Sequence, residues 1–334
     1  MITLAHGAGG KASAALIDAL FLPAFSTGGQ PAEQADAALL SLPSGETLAF
    51  STDSFVVKPL RFPGGSVGHL AAHGTINDLA VMGARPLGLS AAFVLEEGLP
   101  IEALRDIVAD MAAAAAAAGV PVVTGDTKVV ERGAADELYI STAGVGLIPA
   151  GRRLGASTVK EGDVVISSGL IGDHGVAVML ARGDLAMDAD ISSDTAPLHD
   201  LVETMLAGAP STRWVRDATR GGVGTVCNEL AKAGNLTVVL QEHALPVRPQ
   251  VAAACELLGI DPLYVANEGK FIAVVPPDEA DGALTALKGH PLGVHAAVIG
   301  EIRSEPPGIV VLVTPMGGTR IVDMLVGDPL PRIC

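Results

Sequence analysis

The sequence predicts an α/β protein of two domains, and three observations carry that expectation. Its 334 residues allow a large core, and the usual domain size suggests two units. Apolar residues make up 49% but aromatics only 3%, so the core has to be built from Ala, Val, Leu and Ile, as in a globular α/β chain. Strand-type and helix-type runs interleave along the chain, with a break at GRRLGASTVKEGDVV, where Gly, Lys, Glu and Asp cluster. That break divides the chain into an N-terminal domain over residues 1–150, a C-terminal domain over 151–325 and a tail over 326–334.

The elements follow in order. After a glycine-rich start, KASAALIDALFL carries apolar residues at helical spacing, and DAALLSLPSGETLAFSTDS reads as two strands joined by a PSGE turn. The loop KPLRFPGG leads into the helical SVGHLAAHGTINDLAVMGA. PLGLSAAFVL is a strand, an alanine-rich helix begins near Ile101, and VPVVTGDTKVV and ELYISTAGVGLI are strands. In the second half VVISSGLI is a strand and HGVAVMLARG a helix, followed by a polar stretch to about Arg216. GTVCNELAKAG is a helix and TVVL a strand; helix and strand come again through FIAVVPP, and GIVVLVT and TRIVDML close the domain as a hairpin-like pair. The tail GDPLPRIC carries two prolines, which keep it out of helix and central sheet, so it reads as an extended arm. There is no repeat of fixed period.

Charge and composition exclude several classes of function. Lys and Arg total 21 against 37 acidic residues, a net charge of −16, which repels nucleic acid and anionic membranes over most of the surface. An anionic small molecule then needs local help from a metal ion or a focused cation. The most apolar helical stretch, IVADMAAAAAAAGVPVV, contains Asp110 and breaks at Gly119 and Pro121, short of a membrane span. The first residues, MITLAHGAGGKAS, lack the basic start and apolar middle of a secretory signal, so a cytoplasmic location is expected. The three cysteines, Cys227, Cys255 and Cys334, have no CxxC spacing, which indicates neither a disulfide framework nor a structural zinc site. Cys227 and Cys255 read as inert buried thiols. Cys334 ends the sequence in PRIC, where an exposed thiol oxidises or cross-links unless something uses it.

Several groups suit phosphate and metal chemistry. Asp53 ends the apolar LAFSTD, Asp126 follows VPVVTG, and Asn77 and Asp78 lie within a helix. Such oxygen ligands fit a hard cation such as Mg2+, which binds through a few carboxylates plus phosphate; singly, each could equally be a cap or turn residue. The glycine clusters HGAGGK (6–11, with Gly9, Gly10 and Lys11), FPGGSVG (62–68) and RGGVGT (220–225) each precede a helical pattern and could offer backbone N–H groups to phosphate, although none is a Walker A loop or a dinucleotide fingerprint. Lys128 could balance a phosphate charge from the strand that carries Asp126. His6, His73 and His174 lack paired metal spacing and read as ordinary polar residues. Asp217 and Glu268 stand beside glycines as turn-type acids.

Taken together, STDSFVV, GGSVGHLAAHGTINDLAVMGARPL, VVTGDTKVV, SSGLIGDHGVAVM, RDATRGGVGT, NEGKFIAVVPP and the closing PRIC resemble the HypE family of hydrogenase-maturation proteins across almost the whole chain. The wider superfamily includes aminoimidazole ribonucleotide synthetase, selenophosphate synthetase and thiamine monophosphate kinase. The resemblance implies a two-domain PurM-like architecture, in which the N-terminal domain builds a β-barrel across a homodimer and a C-terminal α/β sandwich packs against it. It also implies an ATP site using Asp53, Asn77, Asp78, Asp126 and the loop of Gly9, Gly10 and Lys11, with Mg2+ on Asp53, Asp78 and Asp126. By the same resemblance Cys334 receives a carbamoyl group from the carbamoyltransferase HypF and the carboxamide is dehydrated to a thiocyanate with ATP. Cyanide then passes to iron on a HypC and HypD complex for nickel-iron hydrogenase. Within that scheme Glu268 is the expected base and Lys128 its assistant. Two rivals remain at this point: another ATP-dependent kinase or synthetase of the same fold, for which Cys334 is dispensable, and a non-catalytic scaffold whose tail docks a partner.

Overall fold

The computed structural model describes residues 1–7, 9–25, 35–185, 187, 189–325, 327 and 332–334; most of the proline-bearing tail segment therefore lies outside the described residues. The first half is a five-stranded sheet in the order β1-β2-β7-β5-β6, made of β1 (Ala38–Ser41), β2 (Thr47–Phe55), β5 (Arg85–Glu96), β6 (Val122–Val130) and β7 (Leu138–Ile148). A two-residue hairpin, β3 (Arg61–Phe62) and β4 (Gly65–Ser66), interrupts the loop ahead of the first long helix. The PSGE turn closes β1 onto β2 with Ser41 opposite Thr47. β5 and β6 run parallel, which requires a crossover, and the alanine-rich α4 (Ile101–Ala117) supplies it. The amino-terminal run forms α1 (Lys11–Leu16) and α2 (Leu22–Phe25), joined by a π-helical turn.

The helix α3 (Val67–Val81) decides where the site falls. All of its residues except His69 and Asp78 are buried, the mark of a helix packed on every side. α4 and strands β2, β5 and β7 cover it from the first half, while α6 (His199–Gly208) and β9 (Trp214–Asp217) cover it from the second. Its single acidic side chain is thereby delivered to the seam between the halves.

The second half is a seven-stranded sheet in the order β14-β13-β10-β12-β8-β11-β9, adding β8 (Val164–Ser167), β10 (Thr237–Gln241), β11 (Phe271–Val275), β12 (Ala297–Arg303), β13 (Ile309–Val313) and β14 (Thr319–Ile321). Every residue of β11 is buried, because helices cover both faces. Phe271, Ala273 and Val275 pack with Leu201 and Met205 of α6 and Leu287 of α9 (Ala280–Lys288). Ile272 and Val274 pack on the opposite face with Val223, Cys227 and Leu230 of α7 (Gly222–Gly234). A further apolar cluster joins α5 (Asp173–Arg182) and α8 (Pro249–Leu258) to Phe55, Phe62 and Leu70 of the first half.

The α/β class and the order of most elements agree with the sequence reading, and Cys227 and Cys255 are buried thiols. The polar stretch to Arg216 is different: it contains α6 and β9. α6 turns Leu201, Val202, Met205 and Leu206 inward, but over only ten residues flanked by polar ones, and β9 is four residues long. Among the described residues no helix is long and apolar enough to cross a membrane.

Candidate active site

Three carboxylates converge at the seam. Asp36 immediately precedes the β1 hairpin, Asp78 lies near the end of α3, and Asp217 ends β9; one carboxylate oxygen from each lies within 4.8 Å of the others. Ser51 on β2 ties the first two together, its hydroxyl within hydrogen-bond reach of the Asp78 carboxylate and, at 2.9 Å, of the Asp36 main-chain carbonyl. Arg216 is ion-paired with Asp36. Burial pushes Asp78 and Asp217 well above the usual carboxylate range, and the neighbouring acids push further. Asp36 is raised for the same reason against the pull of Arg216. The Oδ2 atoms of Asp36 and Asp217 are buried without a hydrogen-bond partner. An acidic, under-satisfied oxygen set of this kind fits a hard divalent cation.

Asp53 stands beside this trio rather than in it. It sits within β2, accepts the Ser54 N–H at 2.7 Å and faces Arg220 at 3.7 Å; burial raises its carboxyl and Arg220 opposes the rise. Arg220 also donates to the Gly7 carbonyl at 3.2 Å, which brings the glycine-rich start to the same corner, with Gly9 packed on Arg220. Lys11 turns away and pairs with Asp323. Arg220 is carried on a tight turn at the start of α7, where Gly221 has φ +75° and a Cβ would meet Thr225 Oγ1 at 2.1 Å.

Glu268 is held from both sides. Its N–H donates to Asp194 Oδ1 at 3.0 Å and its carbonyl accepts from the Asn77 amide at 3.3 Å. Gly269 is required there, since a Cβ would lie 1.8 Å from the Asp194 carbonyl oxygen. The side chain is 3% exposed and its Oε1 has no partner. Burial, then the charges of Asp217, Asp194 and Asp53, push its carboxyl well up. Asn77 spends its amide on structure: it donates to the Ala196 carbonyl at 3.1 Å as well as to Glu268 and accepts the Leu198 N–H at 2.8 Å.

The last three residues lie in this seam. Arg332 pairs with Asp136, its carbonyl accepts from Arg182 at 2.8 Å, and Ile333 is 3% exposed within the cluster that joins the halves. Cys334 follows, half-buried. Burial first, then the charge of Glu268, push its thiol well up, while Arg220 opposes the rise. The thiol therefore rests beside the buried acid.

Asp126 and Lys128 do not join them within one chain. Both lie on β6, paired with each other at 2.6 Å and largely exposed. Across the sheet Asp53 is opposite Thr142, Thr142 opposite Ala91 and Ala91 opposite Gly125, so Asp126 is three strands from Asp53, about 14 Å at a strand spacing of ~4.8 Å. Among the described residues the acidic group whose ligand atoms lie within 4.8 Å of one another is Asp36, Asp78 and Asp217, which shares Asp78 with the expected set of Asp53, Asp78 and Asp126. Asp36 gave no signal in its polar surroundings; Asp217, next to RGG, did, and read as a turn residue.

Residues 34–148 match the N-terminal domain model of AIR synthase related proteins and residues 160–313 match the C-terminal one. The chain is 52% identical to carbamoyl dehydratase HypE of Rhodobacter capsulatus, over 100% of this chain and 98% of that protein. It belongs to the HypE family. A crystallised HypE-HypF complex superposes with a TM-score of 0.87 at 45% identity, covering 93% of this chain and 100% of its HypE counterpart. A HypE crystallised with ATP superposes at 0.83 and 44% identity, with 100% of both chains covered.

Proposed function

We propose that the chain is an ATP-dependent carbamoyl dehydratase, converting a carboxamide carried on its own Cys334 into a thiocyanate and so supplying cyanide ligands for the iron of nickel-iron hydrogenase. The observation that carries this reading is the Cys334 thiol resting beside Glu268 in the acidic seam. An amide oxygen is a poor leaving group, so it must first become a phosphate ester. The carboxamide oxygen attacks the γ-phosphorus of ATP, ADP leaves, and a proton departs from nitrogen; loss of the second N–H proton then expels inorganic phosphate as the C≡N bond forms. Glu268 takes the proton from nitrogen. A carboxylate whose affinity for protons is raised by burial is a better base near neutral pH than an exposed one. Because the sulfur ends an arm, the reacting carbon is brought to the base without moving a domain.

Mg2+ would be held by Asp36, Asp78 and Asp217, with Asp53 adjoining, and would supply neutralisation of phosphate charge in a protein of net charge −16. The Gly9–Gly10 loop and Arg220 border the same corner and suit the phosphates. Asp126 and Lys128 reach a site only through a second copy. Val122, Val123 and Val129 leave β6 42%, 68% and 67% exposed, an apolar edge that a homodimer pairing into a barrel would cover, carrying Lys128 toward the partner's cleft as the assisting cation. A HypF-type carbamoyltransferase loads the thiol, and a HypC and HypD complex receives the cyanide. A cytoplasmic location suits a reaction that needs a reduced thiol. Intact-protein mass spectrometry tests the reading: carbamoylated protein given ATP loses the mass of one water and forms ADP in equal amount, whereas ADP formation with no change in protein mass refutes it.

A further inference from the structure

His174 and Ser193 take no part in the chemistry above, yet they stand at the end of the tail. His174 is fully buried, its Nε2 lies 2.9 Å from the Ile333 carbonyl oxygen and its Nδ1 2.8 Å from Ser193 Oγ. The Phe62 ring packs edge-on against it, with centroids 5.4 Å apart. A carbonyl can only accept, so Nε2 must carry the hydrogen. Burial lowers the proton affinity of the ring, which leaves Nδ1 as an acceptor for the Ser193 hydroxyl. Ser193 is in turn fixed: its Oγ accepts the Thr195 N–H at 3.1 Å and its own N–H donates to the Pro63 carbonyl at 2.8 Å. The next residue, Asp194, holds the N–H of Glu268. One loop thus orients the histidine that grips the tail and the acid that meets its sulfur.

We propose that His174, locked in one tautomer by Ser193, is the positioning residue that seats the C-terminal tail through the Ile333 carbonyl, one residue before the reactive thiol. Gripping that carbonyl fixes the peptide plane leading into Cys334, while the Ile333 side chain fills an apolar seat that sets depth but not rotation. A hydrogen bond to main chain reads no side chain at position 334, so a carbamoylated cysteine is accepted as readily as a free one. The contacts of Arg332 with Asp136 and Arg182 hold the tail one residue further back, so the histidine adds the grip nearest the thiol. The inference rests on the dehydratase reading for its consequence, but the seating itself can be measured without ATP.

The test uses the full chain with His174→Ala, His174→Gln and Ser193→Ala. Cys334 alkylation by iodoacetamide, followed by peptide mass spectrometry, reports how often the tail leaves its seat. Single-turnover dehydration of carbamoylated protein reports delivery, and calorimetry reports ATP binding. Loss of one such bond shifts seating roughly tenfold. His174→Ala is therefore expected to alkylate about tenfold faster at Cys334 and dehydrate about tenfold more slowly with ATP affinity unchanged. His174→Gln keeps a donor toward Ile333 and restores most of both, and Ser193→Ala falls between. Alkylation at the parent rate in His174→Ala overturns the proposal. So does equal impairment of the Ala and Gln variants accompanied by weaker ATP binding, which is the pattern of a merely structural histidine. Should the Ala variant fail to fold, a parent rate in Ser193→Ala would also count against it. Faster alkylation in His174→Ala with no dehydration in the parent protein supports the seat and refutes the dehydratase reading instead.

Discussion

Replacing Glu268 by Gln separates catalysis from stability, because the structure sends the two in opposite directions. The side chain is 3% exposed, and its surroundings raise its proton affinity well above the ordinary Glu value of 4.5, burial acting first and Asp217, Asp194 and Asp53 after it. Above pH 4.5 the unfolded chain releases this proton while the folded chain still holds it, so folding stability falls as pH rises through that window and stays lowered beyond the folded value. Glutamine, isosteric and neutral, removes that penalty. The variant should unfold at the parent temperature near pH 4 and at a higher one at pH 8. Loss of a general base costs about 10²- to 10⁴-fold in rate, or about 3–5 kcal/mol of barrier. Calorimetric unfolding at the two pH values and single-turnover dehydration provide the comparison. A Gln variant that dehydrates within about threefold of the parent refutes the assignment of Glu268 as the base; one that is less stable at pH 8 refutes the electrostatic account of its surroundings.

Three further outcomes follow from the same geometry. Asn77→Ala leaves the Leu198 N–H and the Ala196 carbonyl without their side-chain partner and takes one donor from the Glu268 carbonyl, so chemical denaturation should show a loss of about 3 kcal/mol; a loss below about 0.5 kcal/mol contradicts the role given to its amide. Asp36, Asp78 and Asp217 all have raised proton affinities, so Mg2+ should raise the unfolding temperature more at pH 8 than at pH 5 and do nothing for Asp217→Asn; an equal gain at both pH values would locate the metal elsewhere. Val123→Lys with Val129→Lys on β6 should yield monomers by analytical ultracentrifugation and abolish dehydration, whereas active monomers would exclude a contribution from a second copy.

The fold was legible where local signals were long. The PSGE hairpin, the helix of α3 and the β5-α4-β6 crossover all stand in the periodicity. Short elements such as α6 and β9 escaped because a few inward residues among polar neighbours resemble a loop until a sheet edge receives them. At the site, Asp78 and Glu268 could be singled out, since each stands in a distinctive run. Asp36 could not, because its value comes from Ser51 and Asp217, which are remote in sequence and meet it only through the pairing of β1 with β2 and the packing of β9 on α3. Asp126 illustrates the converse: its strand was plain, but strand order, which placed it three strands from Asp53, is a property of the whole sheet. His174 read as an ordinary polar residue because its partner is a main-chain carbonyl 159 positions away, which no side-chain spacing can announce.

The carboxamide oxygen is expected to leave as phosphate, drawn off while the thiol-borne group lies beside Glu268. Protein carbamoylated on Cys334 with an ¹⁸O-labelled carbonyl, given unlabelled ATP, reads this directly by the isotope shift of inorganic phosphate in ³¹P NMR. One label per phosphate formed is expected. Label appearing in water, with unlabelled phosphate, would contradict it.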